Sequence, residues 1–141
     1  DKKNIDQIAK NYPIICDGTD NFKTRYLIND YCIKNKKILI SAAINKFDGQ
    51  LFNFDFRNKS ACFRCFMPRV PTEEVNCQTD GIMTTLAGMA GSLQANEVIK
   101  SILNINNKKK GNVMIFNSLS SDFRLVKLLK NPDCKNKNLH G

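Results

Sequence analysis

Seven consecutive residues, Ile38-Leu39-Ile40-Ser41-Ala42-Ala43-Ile44, carry no charge and are mostly apolar. A run this short falls well below the roughly 20 residues of a membrane helix. As a strand it must be covered on both faces, the situation of sheets flanked by helices. Upstream, the apolar run Tyr12-Pro13-Ile14-Ile15-Cys16 stops at the polar turn Asp17-Gly18-Thr19-Asp20-Asn21, which reads as a strand ending in a loop. From Phe22 the residues Tyr26, Leu27, Ile28, Cys32 and Ile33 recur at helical spacing as far as the Lys/Asn cluster at 34–37, with Thr19 or Asp20 placed to cap the helix. The opening third therefore predicts strand, helix, strand, an α/β arrangement.

The pattern then changes. Phe52, Phe54 and Phe56 alternate with Leu51 and Asn53, a period-two strand with one aromatic face. Cys62-Phe63-Arg64-Cys65 follows, and then Met67-Pro68-Arg69-Val70-Pro71, whose prolines bar regular helix or central strand and predict an exposed loop over 66–80. The small-residue-rich apolar stretch Gly81–Ile105 predicts a buried helix. Its Gly88, Gly91 and Ala95 would form a face that another element approaches closely. Val113–Phe116 and Phe123–Leu129 read as strands joined by the turn Asn117–Ser121. With no internal repeat and no second boundary, residues 1–141 read as a single-domain fragment.

Net charge is +9, which on its face suggests a polyanionic partner. The basic residues are 17 Lys and only 5 Arg, dispersed among 18 Asn. A nucleic-acid reader more often shows Arg interleaved with aromatics along one face. This bias describes a solvated surface and argues against nucleic acid as the partner. The opening residues Asp1–Lys10 lack the apolar core of a secretory signal. Six cysteines, two of them only three apart, then fit a reducing, cytoplasmic setting better than a disulfide framework.

Three constellations can carry chemistry. Asp20 sits in the turn where a strand hands over to a helix, the place at which open α/β sheets bind ligands; it could hold Mg²⁺ against phosphates, or only cap the helix. Cys62 and Cys65 have the gap that lets two thiolates reach one Zn²⁺. Their partners would come from Cys134 in a polar turn and from His140, the only histidine; a redox dithiol or two unpaired thiols remain the alternatives. Cys77 precedes a helix, whose N-terminus favours the thiolate, while Glu73, Glu74 and Asp80 oppose it. Cys16 and Cys32 lie within apolar patterns and read as inert core residues.

Taken in order, these segments resemble the ThiF/MoeB branch of the ubiquitin-activating-enzyme-like superfamily. Thr19-Asp20-Asn21 through Arg25 to Leu27-Ile28-Asn29 is similar to its TDN-x-x-x-R stretch, and Ser41-Ala42-Ala43 with Asp48-Gly49-Gln50 to its SGAA…EGQ segment. Cys62-Phe63-Arg64-Cys65 resembles its zinc half-site, Asn76-Cys77-Gln78-Thr79-Asp80-Gly81 its catalytic-cysteine loop, and Gly91-Ser92-Leu93-Gln94-Ala95 with Glu97 and Lys100 its GSLQA-x-E-x-IK helix.

The resemblance implies the carboxyl-terminal part of a Rossmann-like fold, a mixed sheet flanked by helices with a zinc-stapled loop. The nucleotide-binding half would lie upstream, since no glycine-rich phosphate turn occurs in this chain. It further implies Mg-ATP-dependent adenylation of the C-terminal glycine of a ubiquitin-like or sulfur-carrier protein, and then thioester or sulfur transfer through Cys77. Asp20 and Asn21 would face the nucleotide, with Asp20 holding Mg²⁺ and Arg25 supporting the anionic site. The family's closing cysteine pair is not repeated after Cys134, so zinc would be held by Cys62, Cys65 and Cys134 with His140 or water as the fourth ligand, or the site would be lost. A homodimer is implied as well. The alternative from a different class is a non-catalytic zinc-stapled module that docks a ubiquitin-fold partner or a separate nucleotide-binding chain.

Overall fold

In the computed structural model, residues 1–71, 81–105 and 111–140 are described. Strand β1 (Ile14–Asp17) leads through helix α2 (Phe22–Lys34) to β2 (Ile38–Asn45), with a short helix α1 (Ile5–Ala9) ahead of them. β3 (Asp48–Asp55), the single-turn α3 (Phe63–Phe66), the long α4 (Thr84–Ile102), β4 (Asn112–Asn117) and β5 (Asp122–Lys127) follow, and a 3₁₀ turn covers Lys137–Leu139. The strands form one sheet in sequence order, β1 to β5. β1 and β2 are parallel, paired from Ile14 opposite Ile38 to Asp17 opposite Ser41, and all later pairs are antiparallel. The expected mixed α/β sheet is what these residues make. Among the described residues no helix is long and apolar enough to cross a membrane.

Two cores explain the unbroken apolar run of β2. Leu39 faces α2 and α3 together with Phe52, Phe54 and Tyr26, whereas Ile38, Ile40 and Ala42 face α4 with Leu51, Leu86 and Phe116. The aromatic face of β3 runs on as a ladder, Phe52 stacking on Phe54 at 5.6 Å and Phe54 on Phe56 at 5.5 Å, with Phe63 and Phe66 edge-on to Phe52. On the opposite pleat Gly49 pairs with Phe116. A side-chain carbon there would run into the Phe116 ring, so only glycine fits beneath it.

Four expectations need correction. The helix after the loop begins at Thr84 and is only half buried: Leu86, Ala90 and Glu97 face the sheet. Gly88, Gly91 and Ala95 are exposed, and among the described residues nothing outside the helix's own backbone and the adjoining residues lies within 4 Å of a side-chain carbon built on either glycine. The larger apolar surface of Leu86, Met89 and Leu93 takes the inward stripe and rotates the small residues outward. Asn21, rather than Thr19 or Asp20, caps α2, its Oδ1 accepting from the Thr24 amide at 2.8 Å. Cys16 is exposed, because β1 is an edge strand. The loop expected over 66–80 starts one residue late, since Phe66 closes α3; residues 72–80, Cys77 among them, lie outside the described residues.

Candidate metal centre and ligand pocket

β1 ends on Asp17, a carboxylate with no solvent contact that finishes an apolar strand. Its oxygens accept from the Thr19 amide at 3.0 Å, the Thr19 hydroxyl at 2.7 Å and the Ser41 hydroxyl at 2.7 Å. Arg25, one turn into α2, lies 3.5 Å from the same carboxylate and donates to Ser41 Oγ at 2.7 Å and to the Ala42 and Thr19 carbonyls. Burial presses the guanidinium toward lower pKa, and the charge of Asp17 opposes that shift. From the other face Gln94 of α4 donates its amide to the Asp17 carbonyl at 2.9 Å and the Ile40 carbonyl at 2.8 Å. The carboxyl ends of the two parallel strands are thus held from both sides.

A cavity of about 800 Å³ opens above these strand ends, bordered by Asp20, Asn21, Arg25, Gln94, Phe63 and Met67. The position is the one at which open α/β sheets take ligands. Asp20 is exposed at its mouth, with Asn21 Nδ2 3.3 Å from its carboxylate. Asp20, Asn21 and Arg25 are therefore brought together, but not in equal states: Asp20 is open to solvent, whereas Arg25 spends its donors on protein oxygens. Asp17, Ser41 and Gln94 escaped the sequence reading as site residues. The signals were an acidic residue closing an apolar strand and a polar residue on the inward stripe of an apolar helix.

The second constellation is more compact. Cys62 N-caps α3, and the Cys65 amide returns to the Cys62 carbonyl at 2.8 Å, so one helical turn presents both sulfurs to the same side. At the far end of the chain, Asn131 turns the backbone by accepting from the Asp133 and Cys134 amides, and the 3₁₀ turn brings His140 back. Cys62, Cys65, Cys134 and His140 place one ligand atom each within 4.8 Å of one another, all buried. The Cys62 and Cys134 sulfurs are 3.7 Å apart, and His140 Nε2 lies 3.4 Å from Cys62 and 3.6 Å from both Cys65 and Cys134. Tetrahedral Zn²⁺, with Zn–S of about 2.3 Å and Zn–N of about 2.0 Å, requires separations of roughly 3.8 Å and 3.5 Å. The donor set fits zinc in number, type and spacing.

Electrostatics points the same way. Burial, with the neighbouring Cys65 and Cys134 acting in the same direction, pushes the Cys62 thiol up to about 12. Cys134 is raised by burial too. Thiols raised in this way, Cys62 and Cys134, become thiolates only with a cation beside them, which is what a coordinated metal supplies. Burial, helped by the charge of Lys130, lowers the His140 pKa and keeps the imidazole in its ligating neutral form. The Asn136 amide lies 3.4 Å from the Cys134 sulfur, a hydrogen bond that steadies a ligand.

The ThiF family model matches residues 1–136. Among curated proteins, the adenylyltransferase and sulfurtransferase MOCS3 of Aedes aegypti is 40% identical over 131 residues, covering 91% of this chain and 30% of that protein. MOCS3 of Dictyostelium discoideum is 39% identical over 127 residues, covering 86% and 29%. Among solved structures, E. coli MccB with ATP superposes with a TM-score of 0.73 at 15% identity over 96% of this chain and 42% of that one, a likeness of fold. This chain belongs to the ThiF family. It spans about a third of the length of the MOCS3 relatives it matches.

Proposed function

We propose that this chain supplies one wall of an adenylating site, acting on the C-terminal glycine of a ubiquitin-like or sulfur-carrier protein with Mg-ATP. Family membership and the adenylyltransferase names of the relatives support the reaction class. The observation that carries it is the cavity over the carboxyl ends of β1 and β2, with Asp20 open at its mouth and a charged floor beneath. In this reaction a carboxylate oxygen of the carrier attacks the α-phosphorus, the bond to the β-phosphate oxygen breaks, and pyrophosphate leaves. A Mg²⁺ ion held beside Asp20 would offset the negative charge that develops. Asp20 and Asn21 would hold the metal-nucleotide side of the pocket. Arg25 acts mainly through Thr19 and Asp17, fixing the turn that presents Asp20. Cys77 is proposed as the thiolate that attacks the acyl carbon, forming a thioester as the acyl–phosphate bond breaks and AMP leaves, or as the carrier of sulfur handed on from a separate persulfide donor.

Zinc is proposed at Cys62, Cys65, Cys134 and His140, where it would tie the segment after β3 to the carboxyl-terminal turn and take no part in the phosphate chemistry. A homodimer and a cytoplasmic setting complete the proposal. The decisive experiment is carrier-dependent ATP–pyrophosphate exchange by the complete polypeptide. Asp20→Asn should remove most of the exchange, and Cys77→Ala should leave exchange largely intact while abolishing the covalent adduct. Absence of exchange with every carrier tried would move the chain to the class of zinc-stapled interaction modules.

A further inference from the structure

The two residues between Cys62 and Cys65 are not spacers. Phe63 borders the cavity, lies 5.7 Å beneath the Arg25 guanidinium and sits edge-on to Tyr26. Arg64 turns the other way and grips both oxygens of Asp30 on α2 at 2.7 Å each. Asn136, two residues after Cys134, donates to the same Asp30 at 2.8 Å. Both sequence-distant halves of the cysteine-histidine cluster therefore converge on one carboxylate. So held, the Arg64 guanidinium lies 4.4 Å over the Tyr26 ring. The Tyr26 hydroxyl, buried, reaches the carbonyls of Met67 at 2.8 Å and Arg69 at 3.1 Å. Met67 and Pro71 border the cavity.

We infer that Tyr26, held by Arg64, is a positioning residue for the cavity's outer wall, fixing the Met67–Pro71 backbone so that the metal cluster's geometry sets the affinity for nucleotide. The chain of contacts is continuous from sulfur ligand to wall, and each link is short and directional. A hydroxyl shared between two carbonyls fixes a proline-rich segment that has no sheet or helix to define it. The inference rests on the adenylation reading for its kinetic readout and on the contacts alone for its structural one.

The test uses the complete zinc-loaded polypeptide and the variants Tyr26→Phe, Arg64→Lys and their combination. Tyr26→Phe keeps the ring and removes only the hydroxyl. Each single variant should retain its zinc, raise KM for ATP about fivefold, the worth of one neutral hydrogen bond, and leave kcat within about twofold. The double variant should be no worse than either single one, because both cut the same link. Hydrogen exchange in the peptide 66–71 should quicken in all three. Unchanged KM with zinc retained, additive effects, or unchanged exchange in that peptide would overturn the inference. A wild type that catalyses no exchange reaction would instead refute adenylation, and the hydrogen-exchange result would then decide the link by itself.

Discussion

The Arg25 guanidinium and the Asp17 carboxylate lie 3.5 Å apart with side chains 7% and 0% exposed. Such a pair draws little net stability from its attraction, since desolvation offsets it, but leaving one partner alone is costly. Asp17→Asn should therefore destabilise the fold by about 3 kcal/mol or more, read as a lower urea midpoint. A loss under about 1 kcal/mol would mean that Arg25 has other anchorage sufficient for its charge.

Gln94 is expected to be intolerant of charge. Gln94→Leu removes two hydrogen bonds and should cost about 1 to 3 kcal/mol. Gln94→Glu places a carboxylate against the Asp17 and Ile40 carbonyls, and thermal unfolding should show the larger loss for this more conservative-looking change.

Freshly purified protein should carry one zinc per chain by elemental analysis. A structural zinc is worth about 10 kcal/mol or more of folding free energy, so Cys62→Ser should be poorly soluble. His140→Ala tests the fourth ligand: weaker zinc retention than the wild type is expected, and undiminished retention would hand that position to water.

How much of this was legible beforehand follows from where each signal resides. β2 betrayed its two covered faces because Leu39 and Ile40 face opposite cores in one unbroken run. The cysteine pair was visible because spacing is written in the chain. Asp30, Arg64 and Asn136 were not, since their meeting spans 106 residues from Asp30 to Asn136 and no local period records it. Gly88 and Gly91 misled for a related reason: small residues at helical spacing say that an approach is possible, whereas the bulk of Leu86 and Met89 decides which side faces the sheet.

The same carboxylate predicts an acid response. Burial opposes ionisation of Asp30, but hydrogen bonds from Arg64 and Asn136, with the charge of Arg64, outweigh it and hold its pKa below the usual 3.8. A lowered folded-state pKa contributes stability above the unfolded value, and that contribution disappears as pH falls through the folded one. Wild type should therefore lose stability below about pH 4 more steeply than Asp30→Asn. Parallel acid-unfolding curves for the two would refute this.

Limiting alkylation separates the cysteines by access. Cys32 is fully buried with its thiol pushed up to about 12, chiefly by burial, and should stay unlabelled. Cys16, exposed on β1, should react, though burial of its sulfur raises its pKa and slows it; Cys77 should react ahead of it. Chelation should add Cys62, Cys65 and Cys134 to the labelled set in mass spectra.

Cys62 and Cys134 stand 72 residues apart, with α4 and the last two strands between them. Closing so long a loop is entropically slow, and it gains nothing until both ends are in place. During synthesis the first two sulfurs emerge well before β4 and β5 exist, so for that interval they are half of a ligand set. On the zinc proposal the ligand set is therefore complete only after Cys134 and His140 have followed β4 and β5 from the ribosome, so the metal closes this part of the fold rather than nucleating it.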